Sequence, residues 1–176
     1  MRLSPVRGSV AEKDAPVTDI LVGIAELKTA LLPDRLITLG LGSCVGVSIF
    51  DPVARVGGLL HIMLPDSTQI KVNNNVAKFA DTAIVKLIEC MQSEGALASR
   101  MVAKIAGGAH MFEFTNVDEN MRIGTRNVVA VKRMLELNSI PIIAEDTGAN
   151  YGRTIELDTT TGILLVKTIG HGIKEI

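Results

Sequence analysis

The chain has 176 residues, a formal net charge of −1, 47% hydrophobic residues and only 3% aromatic residues. This length is typical of one domain, and the scarcity of aromatic side chains predicts an aliphatic core of Val, Ile, Leu and Ala. The near-neutral charge gives no electrostatic reason to expect binding to nucleic acid or to a membrane surface. No run of about 18 apolar residues occurs, so no membrane span is expected.

The first 17 residues differ from the rest of the chain. They carry Pro, Ser, Gly and charge without periodicity, and they lack the apolar core of a signal peptide. We therefore predict a flexible N-terminal extension over 1–17 and a single folded domain over 18–176. The two cysteines, Cys44 and Cys90, do not make a disulfide framework, which favours a reducing, cytoplasmic location.

Short β-rich runs separated by Gly, Pro and Asp predict eight strands. In chain order, the predicted strands cover 20–27, 35–39, 44–50, 56–64, 101–106, 140–144, 154–157 and 163–168. Apolar residues at helical spacing predict one helix over 73–94, capped by Asn73 or Asn74, and a second over 125–138. Because strands cluster early and late instead of alternating with helices, the pattern favours an α+β fold.

A glycine-rich turn over residues 40–43 leads directly into Cys44 and an apolar strand. Glycines allow a sharp turn and a close backbone approach, so a residue at such a corner presents its side chain together with its own N–H. That arrangement suits a nucleophile with an adjacent oxyanion donor. The competing interpretation is a small buried hydrophobic residue, and position alone slightly favours it. Cys90, inside the first predicted helix, is interpreted as a packing residue.

A thiol nucleophile needs a base, and the chain has three histidines. His61 lies in the strand predicted after that of Cys44, so antiparallel pairing would place the two side by side. His110 is the rival base, and the residues alone do not decide between them. His171 lies near a C-terminus that we expect to fray. Thr38, upstream of the corner, is a candidate to orient the imidazole, although ordinary strand propensity also explains it.

Other motifs give weaker signals. Residues 40–46 resemble a dinucleotide-binding fingerprint, but the last glycine is one position late and no helix follows it. No Walker-type Gly-Lys-Ser/Thr run occurs, and the cysteines and histidines lack zinc-ligand spacing, so no metal or cofactor site is predicted. Glu145 and Asp146 end a predicted strand, where a solvated turn is a better interpretation than a catalytic acid pair.

Several motifs, in order, resemble the chemoreceptor glutamine deamidases of the CheD family. They are the runs LGSCV (41–45), FDP (50–52), GGLLHIMLP (57–65), KFADTAI (78–84), GGA (107–109), IGTRN (123–127), IPIIAED (140–146) and GR (152–153). The resemblance as a whole spans about residues 18–169, nearly the whole chain. The sequence departs from the family pattern in its longer N-terminal extension and at Phe79, where we expect tyrosine.

The resemblance implies a Cys-His-Thr catalytic triad, which falls on Cys44 as nucleophile, His61 as base and Thr38 as orienting residue. Ser43 and Gly42 of the corner would support the oxyanion, and no metal or organic cofactor is needed. The implied fold is a layered α/β/β sandwich with mixed sheets and about two main helices. It is similar to the catalytic domain of the cytotoxic necrotising factor toxins.

The activity implied by the resemblance is hydrolysis of glutamine side chains in the cytoplasmic bundle of methyl-accepting chemoreceptors, which gives glutamate and ammonia. A second interpretation from the same resemblance is an interaction module that binds a CheC-type phosphatase and stimulates it. A third is a general cysteine amidase that acts on small amides. The sequence alone keeps all three open.

Overall fold

The computed structural model describes residues 16–70, 74–111 and 122–176, which form ten strands and two α-helices. The strands are β1 (Asp19–Leu21), β2 (Leu27–Leu31), β3 (Arg35–Leu41), β4 (Val45–Asp51), β5 (Val56–Ile62), β6 (Val102–Gly107), β7 (Ile142–Thr147), β8 (Arg153–Asp158), β9 (Leu164–Thr168) and β10 (Gly172–Glu175). The helices are α1 (Ala80–Ser93) and α2 (Ile123–Leu137). Residues 1–15 of the predicted extension lie outside the described ranges.

The strands form two five-stranded mixed sheets. Sheet A has the order β1-β3-β8-β9-β10, in which only β1 and β3 run parallel. Sheet B has the order β2-β5-β4-β6-β7, in which only β6 and β7 run parallel. Every residue of β4 and of β5 is buried, because sheet B is covered on both faces and its central strands therefore need no polar side.

The layers are ordered helices, sheet B and sheet A. Both helices pack on one face of sheet B, and sheet A packs on the other. The helix-side core contains Val45, Val47, Ile49, Ile84, Leu87, Met91, Val131 and Leu135. The core between the sheets contains Leu36, Leu41, Leu59, Ala106, Ile155, Leu157, Leu164 and Val166. The predicted α+β class, the two main helices and the mixed sheets are thus confirmed, and the similarity to the toxin domain stays a prediction.

The start of α1 was predicted too early. The helix begins at Ala80, because Phe79 is extended (φ −118°, ψ 144°) and the Ala80 N–H donates to the carbonyl of Leu64 at 3.0 Å. Main-chain groups bonded to the end of β5 cannot also form helical bonds. Asn75 caps a short 3₁₀ turn ahead of α1, a little later than the cap predicted at 73–74. Residue 73 itself lies outside the described ranges.

One predicted strand was wrong in extent, and one strand at the C-terminus was not predicted. The run over 20–27 is two strands, since β1 ends at Leu21 and a turn with Ala25 in the left-handed region (φ 57°) precedes β2. The C-terminus is not frayed, because β10 pairs antiparallel with β9. Ile176 exchanges two main-chain hydrogen bonds with Leu164, at 3.0 and 3.1 Å. Glycines at 170 and 172, both at positive φ, hid this strand from the sequence pattern.

A buried ion pair fixes the end of β4 that lies away from the glycine-rich corner. The side chain of Asp51 is fully buried and accepts hydrogen bonds from Arg100 and from the N–H groups of Val53, Ala54 and Leu97. Burial by itself would raise the pKa of Asp51, but these donors hold it well below its usual range. The FDP run at 50–52 is therefore a structural motif.

Neither described helix is long and apolar enough to cross a bilayer.

Candidate active site

The glycine-rich corner between β3 and β4 is shaped by a left-handed glycine and a local hydrogen bond. Gly40 has φ +71°, a conformation that side chains disfavour, and the N–H of Gly42 donates to its carbonyl at 3.0 Å. The pairing register of β3 shifts between Thr38 and Leu41. The chain therefore leaves sheet A at this corner and enters sheet B at β4.

The loop after β6 holds the corner by backbone contacts. The N–H of Gly108 donates to the carbonyl of Cys44, and the N–H of Ala109 donates to the carbonyl of Gly42, each at 2.8 Å. A Cβ on Gly107, whose φ is +107°, would lie 2.3 Å from the Cys44 carbonyl oxygen. Only glycine allows this approach, which gives the GGA run at 107–109 a structural explanation.

The thiol of Cys44 is half-buried and unpaired at the edge of the core between the sheets. Burial raises its pKa, and the backbone N–H of Cys44 itself partly opposes that rise. The resting side chain is therefore a neutral thiol at neutral pH. The backbone N–H of Cys44 lies close enough to its own sulfur to favour negative charge there. The sequence predicted such a nucleophile with an adjacent amide donor.

Gly42 and Ser43 were predicted to support the oxyanion. The N–H of Gly42 donates to the carbonyl of Gly40, so this amide stabilises the turn and is not available to an oxyanion. Within the described ranges, the N–H groups of Ser43 and Cys44 donate to no other residue. These two amides are the donors left for a ligand at the corner.

His61 lies next to the corner, on β5, and is completely buried. It pairs with Gly46 across the β4–β5 ladder, and Cys44 lies two residues before Gly46. Side chains two positions apart share a face of a strand, so Cys44 and His61 are diagonal neighbours on the face toward sheet A. The predicted antiparallel pairing of the two strands is confirmed, and the side-by-side placement of the two side chains stays a prediction.

Thr38 of sheet A meets His61 of sheet B. The hydroxyl Oγ1 of Thr38 is 2.7 Å from the carbonyl of Val22 and 2.8 Å from Nδ1 of His61. A carbonyl only accepts, so the one hydroxyl proton goes to Val22, and the His61 Nδ1–H must donate to Thr38. This fixes the tautomer, with the lone pair of His61 on Nε2.

The basic nitrogen of His61 is unoccupied. Among the described residues, Nε2 is buried and has no hydrogen-bond partner, the thiol of Cys44 included. Burial lowers the pKa of His61 to about 4, so the ring is neutral at neutral pH. The site thus combines a neutral thiol with a neutral imidazole whose lone pair is available. In ligand-free enzymes, the hydrogen bond between nucleophile and base is often long or absent, as it is here.

Gly46 makes room for this arrangement. A Cβ at this position would lie 2.5 Å from Cδ1 of Ile155 and 2.8 Å from Cδ1 of Leu41, both in the core between the sheets. Contacts this short would push the sheets apart beside His61. The glycine therefore allows the close approach of β8 and β4 on which the bond between Thr38 and His61 depends.

The rival residues make different contacts, although His110 directly follows Ala109 in the loop that holds the corner. The Nε2 atom of His110 is 3.4 Å from the hydroxyl of Thr125 at the start of α2. His171 is exposed and stacks on the ring of Tyr151, with centroids 4.3 Å apart. Cys90 is in α1, as predicted. Of the three histidines, the structure gives a hydroxyl-bound Nδ1 beside the cysteine corner only to His61.

Glu145 and Asp146 both form ion pairs. Asp146 binds the buried Arg153 at 2.7 Å and Lys174 at 3.3 Å, and these cations hold its pKa below its usual value although burial would raise it. Arg153 also donates to the carbonyl of Gly148 and so holds the loop between β7 and β8. Glu145 pairs with Lys132 at the surface. Both residues lie near the end of β7, so the predicted position at a strand end is confirmed, and the predicted solvated turn is wrong because β7 continues to Thr147.

One residue of the site was not singled out by the sequence. Asn127 of α2 is buried, and its Nδ2 donates to the carbonyls of Ser43 and Met63, each at 2.9 Å. Its only sequence signal is its place in the IGTRN run at 123–127. The residues described here bring together no three His, Cys, Asp or Glu side chains that could hold a metal ion.

Comparison with known proteins agrees with the family motifs found in the sequence. The family described as CheD chemotactic sensory transduction matches residues 63–168. A protein of Syntrophomonas wolfei named "Probable chemoreceptor glutamine deamidase CheD" is 56% identical over 157 residues, covering 89% of this chain and 98% of that protein. Proteins of the same name from Caldanaerobacter subterraneus and Clostridium acetobutylicum are 56% and 48% identical, covering 88% and 94% of this chain and 96% and 99% of their own lengths. The chain belongs to the CheD family.

Proposed function

We propose that this protein is a chemoreceptor glutamine deamidase, which hydrolyses specific glutamine side chains of methyl-accepting chemotaxis proteins to glutamate and ammonia. The observation that supports this best is the hydrogen bond from His61 Nδ1 to Thr38, which leaves Nε2 available beside the Cys44 corner. The names of the relatives support the same activity and substrate. Since the substrate glutamines lie in the cytoplasmic bundle of the receptor, the protein acts in the cytoplasm.

Attack on the amide is the first chemical step of the proposed mechanism. As Nε2 of His61 takes the thiol proton, the sulfur of Cys44 bonds to the carboxamide carbon of the substrate. The carbonyl electrons move to the oxygen, and the N–H groups of Ser43 and Cys44 stabilise the resulting oxyanion. Loss of one such donor typically raises the barrier by about 3–4 kcal/mol. Thr38 keeps the imidazole in the tautomer and orientation that this transfer needs.

Breakdown of the tetrahedral intermediate completes the reaction. His61 returns the proton to the amide nitrogen, the C–N bond breaks, and ammonia leaves a thioester on Cys44. A water molecule then gives a proton to His61 and attacks the thioester carbon. The C–S bond breaks, the sulfur regains the proton, and the product is a glutamate. Each turnover adds one negative charge to the receptor bundle, which weakens packing beside other carboxylates.

The surroundings of Cys44 support a protein substrate over a small amide. The thiol is half-buried at the corner where the chain passes from one sheet to the other, and Leu39 ahead of it is exposed. Two surface grooves among the described residues lie elsewhere, one of 830 Å³ along α2 and β7 and one of 570 Å³ between α2 and the segment at 65–66, and Cys44 lines neither. Small-molecule sites typically enclose most of their ligand, whereas a half-buried thiol at a corner of the chain suits a side chain presented by a folded partner.

The deciding experiment is incubation with purified receptor cytoplasmic domains, with mass spectrometry of each glutamine. We expect deamidation by the wild-type protein, none by Cys44→Ala, and near wild-type activity for Cys90→Ala, which tests the other cysteine. His61→Ala should abolish turnover and His110→Ala should not. Full activity in Cys44→Ala, or loss in His110→Ala with retention in His61→Ala, would contradict the assignments. Turnover of free glutamine without receptor would favour the general amidase instead.

Binding of a CheC-type phosphatase stays a prediction from the family resemblance. A partner that occupies the Cys44 corner would bind independently of the thiol chemistry. Binding of CheC that persists in Cys44→Ala, measured by calorimetry, would show a role separable from deamidation.

A further inference from the structure

Asn127 holds the two segments that carry the nucleophile and the base. We propose that it is a positioning residue for the deamidation reaction, acting through the backbone on either side of the site, an inference that rests on the proposed function. Asn127 lies on α2, on the face of sheet B opposite to the one where Cys44 and His61 present their side chains. It therefore cannot touch a substrate at Cys44, and its effect must pass through the main chain.

The side chain supplies two donors to two carbonyls. Nδ2 of Asn127 is 2.9 Å from the Ser43 oxygen and 2.9 Å from the Met63 oxygen. Because both partners only accept, this end of the amide must be the NH₂ group, and each of its protons has one acceptor. A primary amide is the short side chain with two donors on one atom, whereas Asp offers none when ionised and Ser offers one.

The two hydrogen bonds from Asn127 lie just beyond the end of the β4–β5 ladder. The last pair between β4 and β5 is Val45 with Ile62, so Met63 lies one residue and Ser43 two residues beyond the ladder. Beyond it, the chains separate, since Met63 N–H donates to Lys78 and the strands no longer pair with each other. Buried carbonyls without a partner are costly, and the Asn127 amide replaces the missing ladder bonds at this point.

The peptide plane carries the effect to the reactive residue. The Ser43 carbonyl and the Cys44 N–H belong to one planar, trans peptide, so they point in opposite directions. When Asn127 holds the carbonyl on the α2 side, the Cys44 N–H is directed to the other side, where its own sulfur lies. This is one of the two amides that we assign to the oxyanion.

The packing of Gly124 also supports the contact between Asn127 and the corner. A Cβ on Gly124 would lie 2.6 Å from the carbonyl oxygen of Gly108 and 2.7 Å from that of Ala109. The glycine lets the first turn of α2 rest directly on the loop that binds the Cys44 and Gly42 carbonyls. Any larger residue would lift the helix and withdraw Asn127 from the corner. The IGTRN run thus acquires a role through Gly124 and Asn127.

The test compares Asn127→Asp and Asn127→Ala with a matched control on the same helix. Asn138→Ala removes a similar amide bond, from Nδ2 to the Met134 carbonyl at 2.7 Å, at the opposite end of α2. We expect both Asn127 variants to lower kcat by on the order of 10²-fold with little change in KM, because the reacting groups shift while the binding surface stays. The pH profile of Cys44 alkylation should also move to higher pH, whereas Asn138→Ala leaves both quantities unchanged.

The proposal is overturned if folded Asn127→Asp keeps the wild-type kcat and alkylation profile. It is equally overturned if activity falls only in proportion to lost stability, as judged against Asn138→Ala by urea unfolding. If Asn127→Asp does not fold, the uncharged Asn127→Ala variant decides by the same criteria. If the wild-type protein deamidates no receptor, the proposed function fails, and the alkylation profile still decides whether Asn127 sets the environment of the thiol.

Discussion

Thr38 and His61 belong to different sheets, yet the hydroxyl of one lies 2.8 Å from Nδ1 of the other. Both side chains are completely buried, so water does not compete for this bond. The contact exists only while sheet A is packed on sheet B. The orientation of the proposed base is therefore a property of the layer packing and not of the β4–β5 hairpin alone.

Replacing Thr38 by valine should lower kcat while the protein stays folded. Valine keeps the shape but removes the oxygen that accepts from Nδ1, which leaves the imidazole free to adopt the other tautomer. We expect a loss of about 10²-fold, the range typical of a disturbed general base. Thr38→Ser retains the hydroxyl and should stay within a few fold of the wild type. Receptor deamidation rates measure both, and equal rates for valine and serine would contradict the orienting role.

Stability should rise with pH between about 4 and 6.5 because of His61. Burial lowers its folded-state pKa to about 4, so in this window the unfolded chain binds more protons than the native protein. The contribution is fully present above the unfolded pKa, is lost as pH falls through the window, and amounts to about 3 kcal/mol. Urea unfolding at a series of pH values measures it. His61→Gln is the control and should remove this part of the slope, whereas an unchanged slope would contradict the buried, neutral histidine.

Alkylation of Cys44 by iodoacetamide should be slow at neutral pH and accelerate in alkaline solution. Burial raises the pKa of this thiol, so the thiolate forms at higher pH than in the unfolded chain. The rate for each cysteine is followed by peptide mass spectrometry, with the Cys90→Ala variant isolating Cys44. A plateau of fast alkylation below neutral pH would show a resting thiolate–imidazolium pair and exclude the neutral pair described above.

Gly46→Ala should destabilise the fold and reduce activity together. The new methyl would lie 2.5 Å from Cδ1 of Ile155, and overpacking of this kind costs about 1–3 kcal/mol. Adding Ile155→Val removes that Cδ1 atom and should restore part of both stability and turnover. Thermal unfolding and receptor deamidation provide the two readouts. Recovery of stability without any recovery of activity would argue that sheet spacing does not control the site.

Local features of the sequence predicted much of the site. The corner at residues 40–44 follows from its glycines, which determine where the chain turns. The pairing of β4, which follows Cys44, with β5, which carries His61, follows from two apolar strands joined by a short turn, since such strands pair as neighbours. Errors fell on the start of α1, where backbone bonds to the segment after β5 outweigh the local helical pattern. They also fell on the run over 20–27, which a turn divides, and on β10, which glycines at positive φ hid from the pattern.

The sequence by itself determined the α+β class, the cysteine corner and the pairing of the strands that carry Cys44 and His61, because these depend on residue types and short-range order. Only the tertiary structure decided that the His61 lone pair is on Nε2, that the pKa of His61 is low, and that Asn127 reaches the corner. Each of these depends on burial and on contacts between layers. Such contacts join residues 16 to 84 positions apart, and the periodicity of one segment cannot show which partner it meets.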